Sequence, residues 1–175
     1  MAQILRLHRG SMLHSKCGVC ILSVGANVSS LHRKGTPMTM TLMDRSNYYR
    51  GLLLLVRKDR KITEREAALM MHIGATLGFQ REFCETALRE ALDNAHIDPL
   101  PPQFSSPELA KKFIKDGLTI TGGGQAMHVA EDAWLHAIAL ANGLESSWYE
   151  GIKHSVRQHA NEPQTLEVDR LNVAF

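Results

Sequence analysis

The sequence predicts an all-α bundle of two pseudo-repeated three-helix units, and three observations carry that prediction. The first is an internal repeat. Shifted by 65 positions without a gap, Tyr48–Phe83 falls on Phe113–Trp148. Tyr48 then meets Phe113, Leu53 meets Leu118, Leu55 meets Ile120, Ile62 meets Met127 and Glu66 meets Glu131. Ile73 likewise meets Ile138, and Gly78 meets Gly143. A repeat of this kind fixes the architecture before any motif is read. The second observation is period: apolar residues in both copies recur at helical spacing. The third is punctuation, because helix start and stop signals bracket the periodic stretches.

The first helix is expected to start near Asp44 or Ser46, either of which can accept from orphan backbone N–H groups. Tyr48, Leu52, Leu55 and Val56 form its apolar stripe, and the polar run Arg57–Lys61 ends it. Thr63, with Glu66 three residues later and Ile62 before it, is a capping box with a hydrophobic staple. The second helix then buries Ala67, Met70, Met71, Ile73, Gly74 and Leu77, and Gly78 stops it. A third, from about Arg81 to Asp93, is expected to bury Phe83, Ala87, Leu88 and Leu92. Pro99, Pro101 and Pro102 mark a linker. Ser106 before Pro107 restarts the helical pattern, with proline at the first helical position. The fourth helix carries Leu109, Phe113, Leu118 and Ile120 and stops at Gly122-Gly123-Gly124. The fifth spans about Val129–Ala141, with Trp134, Leu135, Ile138 and Ala141, and His128 stands where it can cap it. The sixth begins near Ser146 or Ser147 and carries Trp148, Ile152 and Val156. The last residues, from Glu162 on, alternate weakly and suit a short strand or a strap.

These elements divide the chain into a helical domain at 44–160, with repeats at 44–93 and 107–159, and flanking segments at 1–43 and 161–175. At 175 residues the chain has room for one core. Charge is nearly balanced, 20 basic against 18 acidic residues, so the whole molecule favours no particular partner. Its distribution is uneven: no acid precedes Asp44, while Arg6, Arg9, Lys16, Arg33 and Lys34 are basic. Residues 1–43 therefore read as a basic, poorly ordered arm. No apolar run approaches a membrane-spanning length. Three cysteines make no disulfide framework, so the expected setting is a reducing cytoplasm.

The stretch Asp59-Arg60-Lys61-Ile62-Thr63-Glu64-Arg65-Glu66, followed by "IGATLGF" at 73–79 and "IALANGL" at 138–144, resembles the TerB-like family of tellurite-resistance proteins. That family's loop reads Asp-Gly-x-Ile/Val-x-x-x-Glu, ahead of a helix, a Gly-Leu or Gly-Phe pair and another helix. The resemblance covers about Tyr48–Val156. It implies an all-α bundle with pseudo-twofold halves, a stress-response or scaffolding role without catalysis, and association with J-domain co-chaperones. It also implies a carboxylate site for Ca²⁺ or Mg²⁺ at Asp59, Glu66 and Glu131, since hard cations take oxygen ligands. Two departures oppose the cation. Arg60 replaces the family's glycine amid Arg57, Lys58, Lys61 and Arg65, and Gly124 stands at the second copy's Asp position. The capping box meanwhile gives Glu66 a structural role that needs no ion.

Other motifs yield less. The triple glycine lacks the Gly-Lys-Ser/Thr of a phosphate loop and reads as an interhelical turn. Cys17 and Cys20 form a lone CxxC with His14 and His32 nearby; no second pair completes a zinc knuckle. Cys84 reads as a buried, inert thiol. None of the nine histidines has a Ser, Cys or carboxylate at triad spacing. The expected function is therefore a non-enzymatic interaction or scaffold domain with a protein partner. The rival reading is a binder of nucleic acid or acidic surfaces through Arg57, Lys58, Arg60, Lys61 and the N-terminal arm.

Overall fold

Two helices, one from each half of the sequence, are buried along most of their length, and the other four surround them. They are α1 (Leu42–Val56) and α4 (Pro107–Thr121). The computed structural model describes residues 39–94, 96–122, 127–160, 162 and 165–173. The expectations for residues 1–38 of the arm, for His14, Cys17, Cys20 and His32, and for Gly123 and Gly124 lie outside the described residues. Around the central pair stand α2 (Glu64–Thr76), α3 (Arg81–Glu90), α5 (Val129–Ala141) and α6 (Ser146–Gln158). Among the described residues there is no β-strand, only one isolated bridge between Thr39 and Asn172. The chain is all-α.

The element bounds follow the sequence shift closely. Leu42 and Pro107 stand 65 residues apart, as do Val56 and Thr121, Glu64 and Val129, Thr76 and Ala141, and Arg81 and Ser146. The ends of α2 and α5 match in detail. Gly78 and Gly143 take left-handed φ values of 82° and 73°. Phe79 N–H donates to Gly74 O and Leu144 N–H to Ala139 O, each at 2.9 Å, closing the same Schellman turn twice. Capping also repeats: Thr63 with Glu66, and His128 with Glu131, form reciprocal boxes. Ser106 caps α4 ahead of Pro107, as expected.

Burial departs from a simple stripe in the middle helices. Tyr48, Tyr49 and all of Leu52–Val56 are buried, because α1 packs on α2, α4 and α5 together. A helix enclosed on several sides must be apolar all round, which explains the run Leu52-Leu53-Leu54-Leu55-Val56. Close approach needs missing side chains. A Cβ on Gly117 would meet Leu135 at 2.7 Å and Leu55 at 3.1 Å, and one on Gly51 would meet Pro102 at 2.8 Å. Trp134 is buried at 7% exposure; its indole N–H donates to Gly51 O at 3.4 Å and Lys58 Nζ lies 4.3 Å over its ring.

Three expectations need correction. The first helix starts at Leu42, since Thr41 caps it and Asp44, its third helical residue, closes the capping box. The third helix stops at Glu90 rather than Asp93; Arg57 donates to the carbonyls of Ala91 and Asn94 at 3.1 and 2.9 Å and closes its end. Phe83 and Leu92 are not core, at 51% and 42% exposure. The inner face of α3 is instead Cys84, half-buried Ala87 and Leu88, and then Ala91. Phe83 is one residue, or about 100°, off that face.

The C-terminal stretch is a strap rather than a strand. Leu166 and Val168 are buried, and a 3-10 turn at Glu167–Arg170 packs on α4 and α2. Asp116, at 1% exposure, holds it: Oδ1 accepts from Glu167 N–H at 2.6 Å and Oδ2 from Val168 N–H at 3.0 Å. Tyr48 Oη donates to the same Oδ2 at 2.6 Å. Burial pushes the Asp116 carboxyl up to about 6, against the three hydrogen bonds that favour its charge.

Below about pH 4 folded and unfolded chains both hold the Asp116 proton; between about 4 and 6 only the folded chain does. The stability of wild type relative to Asp116→Asn should therefore fall as pH rises through that window, by up to about 3 kcal/mol, and level off above it. Denaturant melts at a series of pH values would show this, and a gap independent of pH would refute it. In the same assay Trp134→Ala should cost on the order of 3–5 kcal/mol and Thr63→Ala about 1 kcal/mol. Equal losses would mean that Trp134 does not act as core.

Candidate functional site

The loop between α1 and α2 is built by a few local hydrogen bonds. Asp59 Oδ1 accepts from Lys61 N–H at 2.9 Å, and Arg60 N–H donates to Arg57 O at 3.0 Å. Arg60 between them takes φ 63°, a left-handed conformation that costs a non-glycine residue roughly 1 kcal/mol. The glycine of the resembled loop would be free of that cost. Glu66 is buried, and its Oε2 accepts from both Thr63 N–H, at 2.7 Å, and Thr63 Oγ1, at 2.8 Å. Glu131 is buried as well, its Oε2 accepting from His128 N–H at 2.9 Å.

The three sequence-predicted ligands do come within electrostatic reach of one another. Burial raises the Glu131 carboxyl, and the negative charges of Asp59 and Glu66 raise it further, against the His128 N–H bond. They do not form a binding cluster. Among the described residues no three His, Cys, Asp or Glu side chains are arranged to hold a metal ion. Each glutamate spends an oxygen on its own helix cap, and Asp59 on its own turn.

The cations of the loop are largely committed too. Arg57 holds the end of α3, and Arg65 donates to Ile120 O at 3.0 Å and Thr119 O at 3.4 Å, holding the end of α4. Lys58 lies over Trp134. Arg60 and Lys61 are exposed. Of the four loop cations expected to contact phosphate, two therefore have structural employment. Two of the described histidines are likewise occupied locally: His72 Nε2 meets Asp169 Oδ1 at 2.7 Å, and His136 stacks on Tyr149 at 5.0 Å with Nε2 2.9 Å from Ser146 Oγ. Cys84 is buried, as expected.

One apolar feature is not signalled by any motif in the sequence. Between α1 and α3 runs a groove of about 590 Å³, lined by Met43, Tyr49, Leu53, Phe79, Phe83 and Ala87 among others. Such a volume lies in the usual range of ligand sites. Tyr49, Phe79 and Phe83 form an aromatic tier, with ring centroids 5.2 to 6.0 Å apart. Met43 is 68% exposed and Phe83 51%. Beneath them the Tyr49 hydroxyl is buried without a hydrogen-bond partner, and burial together with the nearby Cys84 thiol pushes it up. The signal available in the sequence was the stripe Cys84, Ala87, Leu88 and Ala91, which excludes Phe83 from the inner face.

Comparison with protein-family models, curated proteins and solved structures gave no match. No helix among the described residues is long and apolar enough to cross a membrane.

Saturating Ca²⁺ or Mg²⁺ should leave the thermal melt of the chain unmoved, whereas Glu66→Ala should lower its stability by about 1 kcal/mol with or without cation. A Ca²⁺-dependent rise in melting temperature that Asp59→Asn removes would show instead that the carboxylates ligate.

Proposed function

We propose that the chain is a non-enzymatic, TerB-like interaction module that holds a protein partner in a cytoplasmic stress response of the tellurite-resistance kind. The observation that carries the interaction reading is the groove between α1 and α3, where Met43 and Phe83 stay exposed beside buried Tyr49. Large apolar side chains gathered in one open groove mark interaction sites more often than folding needs. The TerB-like part has separate support. Helix bounds, capping boxes and Schellman turns coincide at a 65-residue shift. The left-handed residue of the α1–α2 loop also stands at the resembled family's glycine. On this reading the halves are related by a pseudo-twofold axis through α1 and α4. Glu66 and Glu131 then serve as helix caps inherited with the loop, and a divalent cation is at most a weak ligand.

Expressed in tellurite-sensitive bacteria, the chain should raise survival on tellurite, and Phe83→Asp should abolish that gain at equal protein level. Survival no better than with empty vector would remove the tellurite setting.

A further inference from the structure

The chemistry of the groove's rim narrows the partner, on the reading that the groove is the interaction site. Met43 to Leu53 span about 15 Å of α1 at 1.5 Å per residue, room for roughly three turns of a helix. Met43, Tyr49, Leu53, Phe79, Phe83 and Ala87 give the lining an apolar and aromatic strip, the form that an amphipathic helix fills with an i, i+3/i+4, i+7 stripe.

The outer wall is acidic. Glu90 lines the groove, and Glu82 stands one turn before Thr86, which lines it too. At its far end the groove shares Glu90, Asn94 and His96 with a depression that also includes Arg89 and Asp93. Glu82, Glu90 and Asp93 make no salt bridge or side-chain hydrogen bond among the described residues, against one unpaired cation at this rim, Arg89. Arg50 on the opposite wall is spent on the carbonyls of Asp98 and Leu100, at 2.6 and 3.1 Å, and on the Asp98 carboxylate at 3.9 Å. Glu82 lies in the first turn of α3, where the helix dipole favours an acid, but folding does not ask for the other two. Glu90 is the last residue of α3, where the helix dipole favours cations, and Asp93 follows it. Nor does the helical pattern require them: 65 residues on, the positions of Glu82, Glu90 and Asp93 hold Ser147, Ser155 and Gln158.

We propose that the groove seats an amphipathic helix of a partner protein, its apolar stripe on Tyr49, Phe79 and Phe83 and its Lys/Arg flank along Glu82, Glu90 and Asp93. Opposite charge on the flank sets orientation and excludes acidic helices, while the aromatic tier supplies most of the affinity.

The test uses the full 175-residue chain and two fluorescein-labelled helical peptides of about fourteen residues, one of Leu and Lys, one of Leu and Glu in the same pattern. Anisotropy should show the Leu/Lys peptide binding at least about tenfold more tightly than the Leu/Glu peptide. Phe83→Ala, at a half-exposed position, should keep the fold by circular dichroism yet weaken binding about tenfold or more. Glu90→Gln with Asp93→Asn should weaken it severalfold and flatten its dependence on salt. Equal binding of both peptides, or binding indifferent to these variants, would overturn the proposal. So would a dimer in sedimentation that Phe83→Ala dissociates, since the occupant would then be a second copy. Peptide binding with no tellurite protection would support the occupant and remove only the stress setting. Protection that survives Phe83→Ala without peptide binding would remove the occupant alone.

Discussion

The buried carboxylate of Asp116 ties together the parts that sequence leaves far apart. It accepts from Tyr48 on α1 and from two backbone N–H groups of the strap, and it stands on α4 itself. Burying a charge is costly unless hydrogen bonds replace water, and here three do. The position 65 residues earlier is Gly51, where Pro102 packs so closely that no side chain fits. The contrast has a simple cause. Proline has no N–H to satisfy, so the linker can lie against bare backbone. Glu167 and Val168 bring two donors into the interior, and a buried donor must find an acceptor. Lys112 and Lys115 then pin Glu167 from outside, at 2.9 and 3.3 Å.

Helix ends govern the electrostatics of the α1–α2 loop in the same way. The carbonyls that close α3 and α4 need donors, and Arg57 and Arg65 supply them from the flanks of one short turn. What looks in sequence like a cationic patch is thus in good part a set of C-terminal caps. Buried Glu66 and Glu131 are held beside this turn by their own cap hydrogen bonds, from Thr63 and from His128 N–H.

Legibility followed the range of the interactions. Capping boxes, proline at a first turn and a glycine stop are local, so Thr63, Ser106, Gly78 and Gly143 were readable as they stand. Long-range pairing was not. Nothing beside Asp116 in "FIKDGLTI" names Tyr48 or Val168 as its partners, although an acid inside an apolar helix run was itself a signal. Phe83 is apolar without being core, because the spacing of Cys84, Ala87, Leu88 and Ala91 fixes which face turns inward. The Thr63–Glu66 capping box is local and readable, whereas the Asp59 turn and the approach of Glu131 to Asp59 and Glu66 depend on the fold.

Where a chain obeys its local rules almost everywhere, the exceptions carry information. Acids sit in the first turns of α1 to α5, as the helix dipole prefers, and Arg157 sits in the last turn of α6. α3 keeps the rule with Arg89 and then breaks it with Glu90, the next residue. The same helix exposes Phe83, while Tyr48, Tyr49, Phe113, Trp134 and Tyr149 are buried and Trp148 is half-buried. An exposed ring gains little from burial, and an acid at a helix C-terminus is mildly unfavourable, so neither helps the fold. Both face one groove. A surface that gives up stability at two neighbouring points, by two unrelated mechanisms, is what the proposed docking of a partner helix would require.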